Sequence, residues 1–330
     1  MTNKTLRKVV MAAVALAVMV VMLGSYTRLT DAGLGCPDWP GCYGFITVPE
    51  TVEHIELAEA AYPERPVEPH KAWNEMIHRY FASTLGFLIL VIFIGSITRK
   101  REQGPKKLPM FLLALVLFQG ALGMWTVTMN LMPLVVMGHL LGGFTTLTLL
   151  FVLYLRLTDY QVPGGDVSVR PLLTASLVGL IILIAQIALG GWTAANYAAV
   201  ACTQLPVCEG AWMEKITLSG AFSIPEADNY EFGAHNYDAR MTIHVLHRIG
   251  AVITVVYLLW LAAKLNAAAM TPFFKRLSFL LGLTVMVQFL LGVGNVVLKL
   301  PISVAVVHNF VAVVLAMVLS TVIYSIARKA

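Results

Sequence analysis

Eight apolar runs, each about 20 residues long, recur along this chain and constrain it more than any other feature. They lie near 9–27, 74–98, 108–127, 133–157, 171–192, 241–265, 274–297 and 302–326. A run of that length crosses the hydrocarbon core of a bilayer. In lipid every backbone N–H and C=O needs a partner within its own segment, so the runs are expected to be helices. The 330 residues are 58% hydrophobic and 12% charged, where a soluble chain carries roughly a quarter charged residues. The first run follows Lys4, Arg7 and Lys8, as a secretory signal would. It lacks a small-residue cleavage site and exceeds the usual signal core, so it is read as a retained first helix.

Lys and Arg placement orients the spans. Arg99, Lys100, Arg101, Lys106 and Lys107 lie between spans two and three. Lys264, Lys275 and Arg276 flank the connection of spans six and seven, and Arg328 and Lys329 end the chain. Both termini are therefore expected in the cytoplasm, with the long acidic loops after spans one and five outside. The net charge of +5 reflects this topology and implies no nucleic acid. All four cysteines fall in the outer loops, as the local pairs Cys36/Cys42 and Cys202/Cys208. Outside the cytoplasm such thiols oxidise to disulfides. Structural staples and a redox role for one pair both remain open. Zinc does not fit, because neither pair has the two-residue spacing of a zinc knuckle.

An internal repeat organises the chain. With an offset of 169, His78-Arg79 maps to His247-Arg248, Gln119 to Gln288, Gly123 to Gly292 and His139 to His308. In the first span and outer loop the offset is 166: Gly24 maps to Gly190, Thr27 to Thr193, Cys36 to Cys202, Pro40 to Pro206 and Cys42 to Cys208. The join falls at Pro163-Gly164-Gly165, a natural linker. Odd-numbered spans end in Leu-Gly, and each even-numbered span carries one histidine of the repeat. The expected fold is an all-α membrane protein, with eight transmembrane helices as two duplicated four-helix bundles, residues 1–160 and 161–330.

His78, His139, His247 and His308 each stand about five to seven residues inside the outer end of a span, roughly 8–10 Å deep. An ionisable group inside a membrane points to function, and four at one depth are hard to ascribe to packing. Two facing imidazoles in a bundle can ligate one heme iron. One turn after them stand the small residues Ala82, Gly143, Ala251 and Ala312, which would leave room for a porphyrin. Copper or zinc would want further ligands that the outer leaflet lacks. Arg79 and Arg248 follow two of the histidines. They are expected to pair with heme propionates or to reach the interface by snorkelling. His54, His70 and His235 are read as solvated loop residues.

The motifs SYTRLTDAGLGCPDWPGC at 25–42, EMIHR at 75–79, GHLLGG at 138–143, LHR at 246–248 and VVHN at 306–309 make the chain resemble the heme A synthase family over essentially its whole length. The resemblance implies an eight-helix duplicated protein that oxidises a methyl group of heme O, through an alcohol, to the formyl group of heme A. It also implies a bound heme b. It places the heme-ligating histidines at His78, His139, His247 and His308, a substrate-site glutamate at Glu75, and the paired cysteines at Cys36, Cys42, Cys202 and Cys208. The repeat singles out Glu75 independently, since the 169 offset maps it to His244 while its neighbours are preserved. Drift at this position is the alternative to a division of labour.

The N-terminal half, with His78, His139, Arg79 and catalytic Glu75, is expected to hold substrate heme O. The C-terminal half, with His247, His308 and Arg248, is expected to hold heme b. The enzyme would be an oxidoreductase of a bacterial inner membrane. Its partners would be lipid, heme O and, as candidates, a heme O synthase, an electron-transfer protein and a second copy of the chain. Two other readings compete: a diheme cytochrome b exchanging electrons with quinol, which needs no Glu75, and a transporter built from parallel repeats.

Overall fold

The computed structural model describes residues 2–99, 105–158, 162 and 165–328. It consists of α1 (Asn3–Leu29), α2 (Val52–Ala61), α3 (Pro69–Ile97), α4 (Lys107–Thr128), α5 (Pro133–Arg156), α6 (Leu173–Ala195), α7 (Leu218–Phe222), α8 (Tyr237–Ala268), α9 (Pro272–Val297) and α10 (Ile302–Arg328). Among the described residues eight helices are long and apolar enough to cross a membrane, all but α2 and α7. No strand occurs among them; Cys42 and Phe45 form an isolated antiparallel bridge. Lys100, Arg101, Pro163, Gly164 and Lys329, used above for orientation and for the linker, lie outside the described residues.

After the first, two of the spanning helices begin well before hydropathy places them. α3 starts at Pro69 and α8 at Tyr237, because their first turns are polar and project beyond the apolar span. Proline occupies the first turn of α3, α5 and α9, where its missing N–H costs nothing. Asn236 caps α8 by accepting from the Ala239 N–H at 2.9 Å. The polar loop after α1 holds a helix of its own, α2.

Packing follows the spacing of small and apolar residues. The buried face of α1 is Leu6, Val10, Ala13 and Ala17, a stripe that recurs every three or four residues. The two alanines let neighbouring backbones approach. This stripe meets Leu85, Ile89 and Ile92 of α3 and Phe144, Leu147, Leu150 and Leu153 of α5 in one cluster. In the first half α1 packs on α3, α3 on α4, α4 on α5 and α5 on α1. In the second half α6 packs on α8, α8 on α9, α9 on α10 and α10 on α6. The halves meet through α5 with α6, and α10 with α1 and α5. Large apolar residues such as Phe87, Leu117, Ile181 and Phe279 stay exposed, as a lipid-facing surface requires.

The four odd-numbered spans, α1, α4, α6 and α9, close alike. Asp31, Asn130, Tyr197 and Lys299 take positive φ just past their ends. The following N–H groups reach back to the last turn, Ala32 to Thr27, Leu131 to Thr126, Ala198 to Thr193 and Leu300 to Asn295. This is the Schellman closure, which satisfies carbonyls that the helix end leaves without partners.

Candidate functional site

The Leu-Gly pairs acquire a meaning that their position in the sequence did not disclose. Each glycine faces the histidine of the next span. A Cβ on Gly24 would stand 2.9 Å from His78 Cε1, on Gly190 3.1 Å from His247, on Gly292 3.3 Å from His308 and on Gly123 3.5 Å from His139. The absent side chain is what admits the imidazole beside its neighbouring helix.

His78 of α3 and His139 of α5 come together with ring centroids 6.4 Å apart and planes at 87°. Two imidazoles bound to one metal by bonds of about 2 Å have their centres about 6 Å apart, so this separation suits a shared axial metal. Both Nδ1 atoms are buried without a partner. His247 of α8 and His308 of α10 lie close enough to interact electrostatically. Gln186 Nε2 stands 3.0 Å from His247 Nδ1, and Gln288 Nε2 stands 3.3 and 3.1 Å from the two ring nitrogens of His308. His139 and His308 are six residues past Pro133 and Ile302, whereas His78 and His247 are nine and ten past Pro69 and Tyr237. The depths counted from helix ends therefore differ, because α3 and α8 project farther outward.

Glu75 is 5% exposed. Its Oε1 accepts from Arg79 at 2.5 Å and its Oε2 from the Cys36 N–H at 2.9 Å. Arg79 also donates to the carbonyls of Asp38, Pro40 and Gly41. In the second half Arg248 donates to the carbonyls of Cys202 and Gln204. Asp38 and Gln204 are equivalent in the repeat, so both arginines clasp the disulfide loop above their own bundle. Arg248 has no carboxylate one turn before it: His244, which replaces Glu75, is buried with Nδ1 unpartnered, and Glu209 of the clasped loop acts on Arg248 only through its charge. Among the described residues a direct salt bridge at this position of the repeat occurs in the N-terminal half alone.

The cysteines form the two local disulfides, Cys36–Cys42 and Cys202–Cys208, each six residues apart. Both loops also hold a cis prolyl bond, Trp39–Pro40 and Leu205–Pro206. Asp38 secures the first loop by accepting from the Tyr43 and Gly44 N–H groups. Burial pushes the Tyr43 hydroxyl up to about 12, and it donates to the Pro66 carbonyl. The outer ends of α1 and α6 are tied together across the halves. Arg28 donates to the carbonyls of Ala194 and Ala195 and lies 3.8 Å from the centre of the Tyr197 ring. The Tyr197 hydroxyl in turn bonds Asp31.

Three sequence expectations change. His235 is 6% exposed rather than solvated, and burial, with Arg240 nearby, lowers its pKa. The loop that carries it folds back on the bundle through hydrogen bonds of Tyr230 and Asp228 to Asn130. His70 is exposed but belongs to the first turn of α3, and His54, also exposed, belongs to α2 and stacks on Phe45. Ala312 sits in the apolar cluster shared with α1, α3 and α5, so its small size serves helix packing.

Fold and site together define a polytopic helical membrane protein in which the separation of His78 and His139 suits a shared metal such as heme iron. The family model for cytochrome oxidase assembly proteins matches residues 7–320. Over 313 residues the chain is 51% identical to a heme A synthase of Shewanella oneidensis, covering 94% of this chain and 93% of that protein. It is 28% identical over 319 residues to a heme A synthase of Mesorhizobium japonicum, covering 89% and 83% of the two chains. With the corresponding protein of Chelativorans sp. it shares 27% identity over 313 residues, again 89% and 83%. The chain belongs to the cytochrome oxidase assembly protein family.

Proposed function

We propose that the chain is a heme A synthase, an oxidoreductase that converts a methyl group of heme O to the formyl group of heme A through an alcohol. The observation that carries this reading is the facing His78–His139 pair with its buried Nδ1 atoms, in a chain half identical to a heme A synthase over nearly its full length. In this reading residues 1–160 and 161–330 are duplicated bundles with divided work. His78 and His139 hold the iron of substrate heme O. His247 and His308 hold heme b, which when bound supplies a one-electron carrier.

The protein's own groups do the rest. The Cys36 N–H and Arg79 fix Glu75 in one orientation. There it favours positive charge developing at the methyl carbon and can accept a proton. The disulfide loops, clasped by Arg79 and Arg248, cover the outer ends of the bundles. Arg248 has a buried Nε with no partner, available to a propionate. In this reading the protein lies in a bacterial inner membrane, and the placement of Lys and Arg favours both termini on the cytoplasmic side.

Expression in a host that makes heme O but no heme A, followed by extraction of the bound pigments, tests the proposal. Heme A or its alcohol precursor is expected beside heme b. Heme b alone, in two copies, would make the protein a diheme cytochrome.

The glycines supply a finer test. A Gly24→Ala Cβ would press on His78 Cε1 at 2.9 Å, whereas a Gly123→Ala Cβ would rest at ordinary contact distance, 3.5 Å from His139. Displacing a ligand by disturbing its surroundings costs on the order of tenfold in metal affinity. Gly24→Ala is therefore expected to lose heme O retention by roughly that factor and Gly123→Ala to keep it, measured as heme per protein after purification. Equal retention in both would refute the packing argument.

A further inference from the structure

The four odd-numbered spans carry one five-residue pattern before the turn, and only one of them breaks it. Residues 119–123 read QGALG, 186–190 QIALG and 288–292 QFLLG, but 20–24 read VVMLG. The last residue of each is the glycine that faces a histidine. One turn earlier stands glutamine, on the same face of the helix, except on α1, where Val20 replaces it. That replacement belongs to His78.

The glutamines differ in what they reach. In the C-terminal half Gln186 and Gln288 place their side-chain amides on the rings of His247 and His308. Gln186 is anchored further by donating to the His247 carbonyl at 3.0 Å. The Oε1 atoms of both glutamines are buried and unpartnered. A turn of the amide offers that oxygen to the Nδ1–H that an imidazole carries when Nε2 is bound to a metal; for Gln186 the turn exchanges the bond to the His247 carbonyl for one to the ring, and Gln288 lies beside both ring nitrogens of His308. The rings of His78, His139 and His308 all approach the backbone one turn before the facing glycine, at Val20, Gln119 and Gln288, but in the N-terminal half neither Nδ1 has a side-chain partner. The Gln119 amide packs against Gly142 instead, with its Nε2 unpartnered.

A hydrogen bond to the far nitrogen of a ligating histidine fixes its tautomer and orientation and raises its basicity. A resident cofactor gains from such a bond; a substrate that must enter and leave does not. Resting on the reading of the N-terminal pair as the substrate site, we propose that Gln186 and Gln288 are positioning residues that lock the C-terminal heme in place. Val20, by withholding the corresponding amide from His78, keeps the N-terminal pair exchangeable. The asymmetry between the halves then comprises Glu75 and the support of the ligands as well.

The test uses the purified full-length protein with its hemes bound, challenged with excess apomyoglobin as a heme scavenger. Heme is expected to leave in a fast phase from the N-terminal pair and a slow phase from the C-terminal pair. Val20→Gln should slow the fast phase on the order of tenfold, with Val20→Met as the control for bulk without an amide. Gln186→Met should speed the slow phase and shift the midpoint potential of that heme, a readout that a mere packing defect would leave in place. An unchanged fast phase in Val20→Gln, or equal slowing by Val20→Met, overturns the role of Val20. An unchanged slow phase and potential in Gln186→Met overturns the role of Gln186. Extracting the scavenged pigment keeps the two ideas separate: heme b in both phases defeats the synthase reading, whereas phases that ignore these substitutions defeat only this inference.

Discussion

Glu75→Gln is expected to cut heme A formation roughly a hundred- to a thousandfold, while the C-terminal heme stays bound. The carboxylate is held by the Arg79 guanidinium and the Cys36 N–H. A glutamine carbonyl oxygen can still accept from one of these, and Arg79 keeps its three loop carbonyls, so the loop should remain clasped. What disappears is the negative charge. Removing one preorganised electrostatic contributor typically costs about 2.7–4 kcal/mol of transition-state stabilisation, which gives the quoted range in rate. Heme O or its alcohol should accumulate. His244→Gln, at the equivalent position of the other half, should matter less, because no ion pair forms there. Near-normal heme A from Glu75→Gln, or a larger loss from His244→Gln, would overturn the division of labour.

The physics of lipid explains why so much of this was readable in advance. Eight apolar runs could only be helices, and all eight are present. The four repeat histidines were visible because an ionisable side chain in such a run is rare. What hydropathy could not show was polar structure outside the bilayer: the first turns of α3 and α8, helix α2, and the loop that buries His235. The partners of Arg79 and Arg248 were also hidden. In a membrane helix an arginine calls for an acceptor, but nothing in EMIHR or LHR says that the acceptors are carbonyls of a loop some 40 residues earlier.

The glutamine pattern is written in the sequence, but the half-to-half repeat does not expose it. Comparing half with half pairs Gln119 with Gln288 and leaves Gln186 facing Val20 unnoticed. Only when all four odd-numbered spans are aligned on the glycine does the one exception stand out. The glycines themselves were noticed as helix endings. Their role as the walls behind the imidazoles depends on distances between helices, which spacing along one helix does not carry.

Replacing either His247 or His308 with alanine is expected to remove the C-terminal heme signal altogether. An iron held between two imidazoles needs both to stay low-spin, so each single substitution should suffice. The effect should exceed that of Gln186→Met, which disturbs a ligand without deleting it. His247→Ala also strands the Gln186 amide, whose ring partner is gone. Gln288 stands beside the His308 ring, and its amide is a poor substitute for an imidazole as an iron ligand. The fold should survive, because large apolar clusters hold the helices together, one of them spanning both halves. His78→Ala must leave this signal intact, since that residue pairs with His139 in the other half. Reduced-minus-oxidised spectra and low-temperature paramagnetic resonance of the three purified variants read the outcome. A full low-spin signal in both C-terminal variants, or its loss in His78→Ala, would mean that the histidines are paired in some other way.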